Sequence, residues 1–124
     1  MESTGSLAAK LLSATLLFDQ TSLAALEALG ANSDRRILRR GEVLVREGDR
    51  SDRFFVVLSG RFTVHREGIG ETVAEIGQGE LVGEIGFFAA LPRIATVVAA
   101  RDSIVLEIRD DQFERAAKAL PSLR

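Results

Sequence analysis

Apolar and polar positions follow three different rhythms along this chain. Within residues 1–34, Leu23, Leu26 and Leu29 recur at the spacing of one helix face, with Ala24, Ala25 and Ala28 filling the turns. Asp19 or Thr21 can accept from the first free amides, and Gly30 can close the helix in a left-handed conformation. Leu11, Leu12, Leu16 and Leu17 mark a preceding helix, broken up by Lys10, Ser13 and Thr15. From residue 35 to residue 109 the period shortens and glycines punctuate the chain. Ile37-Leu38, Val43-Leu44-Val45, Phe54 to Leu58, Phe62 with Val64, Val73-Ala74 with Ile76, Ala95 to Ala99 and Ile104 to Ile108 read as short strands. Phe54-Phe55-Val56-Val57-Leu58 is apolar without interruption, the pattern of a strand buried on both faces. About eight strands at this spacing predict a jelly roll or β-roll, a mainly β fold with flanking helices, rather than a parallel sheet. Residues 110–120 return to a helical pattern through Phe113, Ala116, Ala117 and Leu120, and Pro121 ends it. The whole of 1–124 is expected to be one domain.

Composition narrows the chemistry. Among 124 residues there is no cysteine and one histidine, His65. Thiolate zinc sites, cysteine nucleophiles, multi-histidine metal sites and a metal-dependent cupin enzyme therefore fail at the counting stage. Neither tryptophan nor tyrosine is present, so aromatic platforms for stacked bases are not expected. The formal charge is −2, and Asp34, Glu42 and Glu47 dilute the Arg35-Arg36 and Arg39-Arg40 pairs into a solvated face rather than a nucleic-acid patch. No stretch approaches the roughly 20 apolar residues that span a bilayer, and a cytoplasmic location is expected.

One segment does not read as plain sheet: residues 79–96, Gly-Glu-Leu-Val-Gly-Glu-Ile-Gly-Phe-Phe-Ala-Ala-Leu-Pro-Arg-Ile-Ala-Thr. Gly83 and Gly86 allow a ligand to approach the backbone closely. Ile85 to Ala89 can form one helical turn after Glu84, with free amides at its start. Arg93 offers a planar fork that matches phosphate oxygens, whereas the Glu84 carboxylate accepts and so suits a hydroxyl. These parts ask for a ligand with one phosphate and a nearby hydroxyl. The plain alternative is a surface ion pair between Glu84 and Arg93, worth about 0–1 kcal/mol.

The segment resembles the phosphate-binding cassette of cyclic nucleotide-binding domains. The likeness runs from about Leu16 to Leu120, through Gly41-Glu42-Val43-Leu44, Glu47-Gly48-Asp49, Asp52, Phe54 to Gly60 and Pro92-Arg93-Ile94-Ala95-Thr96-Val97. The resemblance implies an eight-stranded β-roll with N-terminal helices, a short cassette helix within residues 83–96 and a C-terminal helix. It places the ribose 2′-hydroxyl on Glu84, the cyclic phosphate on Arg93 and the amides of Ile85 and Gly86, and the cassette's two ends at Gly83 and at Ala95-Thr96. Val64, Ala74 and Ile76 would contribute a base wall. Where the family often carries Ser, Thr or Ala after the arginine, this chain has Ile94, whose side chain cannot donate to a guanine or phosphate, which favours cAMP over cGMP. The implied role is a non-enzymatic regulatory sensor that uses no metal and passes a conformational change to an effector domain or partner, with a homodimer as one form. The alternative is the same fold without useful nucleotide affinity, serving as a docking module. The chain is expected to be either a piece of a longer protein or a stand-alone sensor.

Overall fold

A computed structural model of the chain describes Ala31 and residues 33–119. The helices expected within 1–34, and Leu120 with Pro121, lie outside the described residues. Eight strands follow in order: β1 (Asp34–Leu38), β2 (Val43–Val45), β3 (Arg53–Ser59), β4 (Arg61–His65), β5 (Ala74–Gly77), β6 (Leu81–Val82), β7 (Thr96–Ala99) and β8 (Ser103–Arg109). Helix α1 (Glu84–Ala89) separates β6 from β7, and α2 (Asp110–Ala119) follows β8. The strands form two four-stranded sheets, β1-β8-β3-β6 and β2-β7-β4-β5, and every pairing is antiparallel. This is the β-roll that the glycine-punctuated apolar pattern predicts.

Sequence and structure differ mainly at the edges of elements. β6 is absent from the apolar pattern because two residues cannot set a period. Pairing with β3 defines it, Phe55 opposite Val82 and Val56 opposite Leu81. β5 begins at Ala74, with Val73 just outside, although the Val73 amide still donates to the Val64 carbonyl at 2.9 Å. β7 starts at Thr96 rather than Ala95, and β8 takes in Ser103.

The uninterrupted run in β3 is explained by two separate apolar layers. Phe55 and Val57 face the other sheet and join Leu44, Phe62, Val97 and Val105 in the inner core. Phe54, fully buried, points to the outside of its sheet. There its ring meets Phe87 of α1 at 5.0 Å and Phe113 of α2 at 6.2 Å, and Phe87 and Phe113 lie 5.8 Å apart, edge to face. An antiparallel strand is thus buried on both faces because helices cover the second one. The two helices meet ring to ring over β3, with Phe54 in contact with both.

The Gln112 side chain accepts from the Arg109 amide at 2.9 Å, satisfying a donor at the start of α2. Gln112→Ala is expected to lower stability by about 1 kcal/mol, read as a shift in denaturation midpoint with unchanged slope. Arg35, Arg36, Arg39 and Arg40 are exposed, and Arg36 pairs with Glu107 while Arg39 pairs with Asp102, each at 3.5 Å. The face is solvated as expected, although the acids paired with Arg36 and Arg39 are Glu107 and Asp102 rather than Asp34, Glu42 and Glu47.

Candidate functional site

The site begins where β6 turns into α1. Gly83 caps the helix with φ 78°, a left-handed backbone that a side chain disfavours. Its Cβ position is also occupied, because an added methyl would overlap the Arg93 Nη1 atom. Helix α1 ends in a second left-handed residue, Ala90 (φ 56°), and the Leu91 amide donates back to the Gly86 carbonyl at 3.0 Å. Pro92 follows, and the chain delivers Arg93 back toward Gly83.

Arg93 is held at both its backbone and its side chain. Its amide donates to the Asp49 carbonyl and its carbonyl accepts from the Gly48 amide, both at 2.8 Å. The guanidinium is buried, with 7% of the residue exposed. Nη2 donates to the Arg53 carbonyl at 2.7 Å and Nη1 to the Gly83 carbonyl at 3.2 Å. Burial lowers the Arg93 pKa, opposed by the nearby Asp52 carboxylate. Asp52 is itself held below the usual carboxylate range by the Arg53 fork, which donates to it at 2.9 and 3.1 Å. An ionised acid therefore sits close to the buried cation.

Glu84 occupies the first turn of α1 and is half-buried. Among the described residues it makes no ion pair with Arg93, so the surface-pair alternative is not what forms. Both side chains instead line one cavity of about 180 Å³. Gly83, Glu84, Gly86 and Arg93 make its polar end, Val45, Val64, Ile76, Leu81, Val82 and Val97 its apolar wall, and Ile94 with Ala95 its lip. Ile94 is 60% exposed there. A larger open groove of about 600 Å³ runs from Gly48 and Arg50 to Asp110, but it contains neither Glu84 nor Arg93. A third opening of about 230 Å³ also reaches Arg93, beside Asp49, Asp52, Leu44 and Phe55, but lacks Glu84. Of these three, the 180 Å³ cavity is the one that joins Arg93 with Glu84 beside an apolar wall.

Most of the residues singled out from sequence converge on this cavity. Ala74 and Thr96 do not line it. Ala74 is exposed on β5, on the same sheet face as its cross-strand partner Val64 but not among the residues that line the cavity. The Thr96 hydroxyl accepts from the Glu47 amide at 3.0 Å, tying β7 to the turn after β2. Ile85 lies in the first turn of α1. Val45 and Val97, readable only as strand residues, belong to the wall, as do Leu81 and Val82, which the apolar pattern does not mark as a strand. Ser51 also lines the cavity, and nothing in its local sequence signals that. His65 is engaged elsewhere, 2.8 Å from the Thr63 hydroxyl. Among the described residues no group of acids and histidines is placed to hold a metal ion, and no helix is long and apolar enough to cross a membrane.

The comparisons with known proteins fall on the same region. A family profile described as "Cyclic nucleotide-binding domain" matches residues 35–119. The chain is 40% identical over 91 residues to the lysophospholipase NTE1 of Candida albicans, covering 67% of this chain and 6% of that protein. It is 33% identical over 90 residues to a cAMP-dependent protein kinase regulatory subunit of Neurospora crassa, covering 64% of this chain and 23% of that protein. The chain thus spans a small part of the length of these curated relatives. The N-terminal domain of a transcriptional regulator from Streptomyces coelicolor has a similar structure, with TM-score 0.83 and 29% identity over 91% of this chain and 83% of that one.

Proposed function

Since the chain belongs to the cyclic nucleotide-binding domain family, we propose that its cavity takes cAMP in preference to cGMP and passes occupancy to an effector domain or partner. The observation that carries this reading is the meeting of Arg93 and Glu84 at the polar end of one apolar-walled cavity. A guanidinium has five N–H donors, and the Gly83 and Arg53 carbonyls engage two of those of Arg93. The rest can face the oxygens of a cyclic phosphate in a site shielded from water. The Glu84 carboxylate accepts from the ribose 2′-hydroxyl. The base lies along Val64 and Ile76, under an Ile94 lip that offers guanine no donor. The relative from Neurospora crassa, by name a cAMP-dependent regulatory subunit, supports the choice of nucleotide.

Signal transfer needs only an arrangement that the ligand favours over another. The turn between β2 and β3 is placed for that. It holds Arg93 through two backbone bonds, and its Asp52 carbonyl accepts from the Asp110 amide at the start of α2 at 3.0 Å. The Phe54–Phe87–Phe113 contact is a second tie between α1 and α2. In this reading the domain binds rather than catalyses, acts in the cytoplasm, and answers to a protein that supplies the output.

Titration calorimetry with cAMP and cGMP tests the reading directly. cAMP is expected to bind and to raise the thermal midpoint, cGMP to do so less. No heat and no shift with either nucleotide would overturn it in favour of a docking module. Glu84→Gln is expected to weaken cAMP by about tenfold, as a charge-assisted hydrogen bond becomes a neutral one. With 2′-deoxy-cAMP the same substitution should change little, because the hydroxyl partner is already gone.

A further inference from the structure

The turn between β2 and β3 reaches the cavity at one more point. Ser51 lines it beside Gly83, Glu84, Gly86 and Arg93. The Ser51 hydroxyl oxygen is buried and has no hydrogen-bond partner among the described residues. Buried hydroxyls are normally paired, and one left unpaired is costly. Its position is tightly defined: a Cβ added at Gly86 would stand 2.5 Å from Ser51 Oγ and 3.3 Å from Ser51 Cβ. The glycine at position 86 is therefore what leaves room for this hydroxyl against the cassette helix. The residue after Arg93 is Ile94, whose side chain brings no donor to the phosphate end.

We propose that Ser51 is a ligand-contacting residue of this site, donating its hydroxyl to an exocyclic oxygen of the cyclic phosphate that Arg93 holds. The proposal rests on the cyclic nucleotide reading above. A hydroxyl that is unpaired without ligand and paired with it stabilises the bound form twice over, by making a charge-assisted bond and by ending a desolvation penalty. Such a residue leaves an unusual pair of signs. Its removal should weaken the ligand while leaving the empty protein as stable as before, or more so. A hydroxyl with only a packing role does not separate the two.

The test is calorimetric titration of the wild-type chain and Ser51→Ala with cAMP and with its two phosphorothioate diastereomers, beside thermal unfolding of both proteins without nucleotide. Ser51→Ala is expected to bind cAMP about tenfold more weakly, with an unliganded midpoint equal to or above that of the wild type. Sulfur in place of one exocyclic oxygen is a poorer acceptor. The loss on substitution should therefore persist with one diastereomer and fall below about twofold with the other. Unchanged cAMP affinity in Ser51→Ala overturns the proposal while leaving the nucleotide reading intact. So does an equal loss with all three ligands together with a lowered unliganded midpoint, which marks a packing role. A wild-type chain that binds none of the three overturns the nucleotide reading, and the assignment of Ser51 with it.

Discussion

Arg93→Ala is expected to weaken cAMP binding by roughly 30- to 1000-fold, the equivalent of about 2–4 kcal/mol for removing one partner of a charge pair in a shielded pocket. The magnitude follows from the burial of the guanidinium, of which the solvent reaches little. Water cannot take its place at the phosphate without entering the cavity. The same substitution also strips donors from the Gly83 and Arg53 carbonyls. Those carbonyls belong to the cap of α1 and the first residue of β3, so the empty protein should lose stability as well, by about 1–3 kcal/mol. Calorimetry reads the first effect and denaturant unfolding the second. Arg93→Lys separates them further, because one ammonium cannot fork between two carbonyls and a phosphate. It should recover part of the affinity and little of the lost stability. Wild-type affinity in Arg93→Ala would sink the placement of the phosphate.

Phe54→Ala should have the largest effect on the fold, a loss of about 3–5 kcal/mol. The ring is fully buried and in contact with an aromatic ring of each helix. Its removal opens a cavity between β3, α1 and α2 that a short helix of six residues, capped by left-handed residues at both ends, cannot close by sliding. Phe87 and Phe113 would each lose this ring and keep their mutual edge contact at 5.8 Å. The denaturation midpoint with urea measures the loss. Amide exchange across residues 84–89 and 110–114 should rise together in the folded variant, since both helices lose one shared support. A cost under about 1 kcal/mol would mean that the outer layer of β3 is not what joins the helices.

How much of this was legible beforehand depends on the range of the interaction that decides each feature. The roll was readable because its strands are marked locally, by β-branched and aromatic runs between glycines, as in the stretch from Phe54 to Gly60. The cassette was readable because Gly83, Glu84 and Arg93 lie within eleven consecutive residues, 83–93, and their types state their chemistry. β6 was not, because Leu81 and Val82 become a strand only when β3 lies beside them. Ala74 was placed in the wall by its neighbours Val64 and Ile76, yet it faces solvent beyond the end of the apolar surface.

What the sequence determined by itself is the repertoire: an antiparallel β-roll, a buried central strand, one cation and one carboxylate suited to a phosphate and a hydroxyl, and no thiol chemistry. The tertiary structure decided which of these meet. Glu84 and Arg93 line a cavity together instead of neutralising each other, since the Arg93 fork is already turned toward two backbone carbonyls. Phe54 faces helices rather than the inner core, and Ser51, 35 positions before Gly86, is pressed against it. The physical reason is common to all three. Side-chain type and spacing act over a few residues, whereas burial, the approach of one backbone to another and the loss of water are set by segments far apart in the chain.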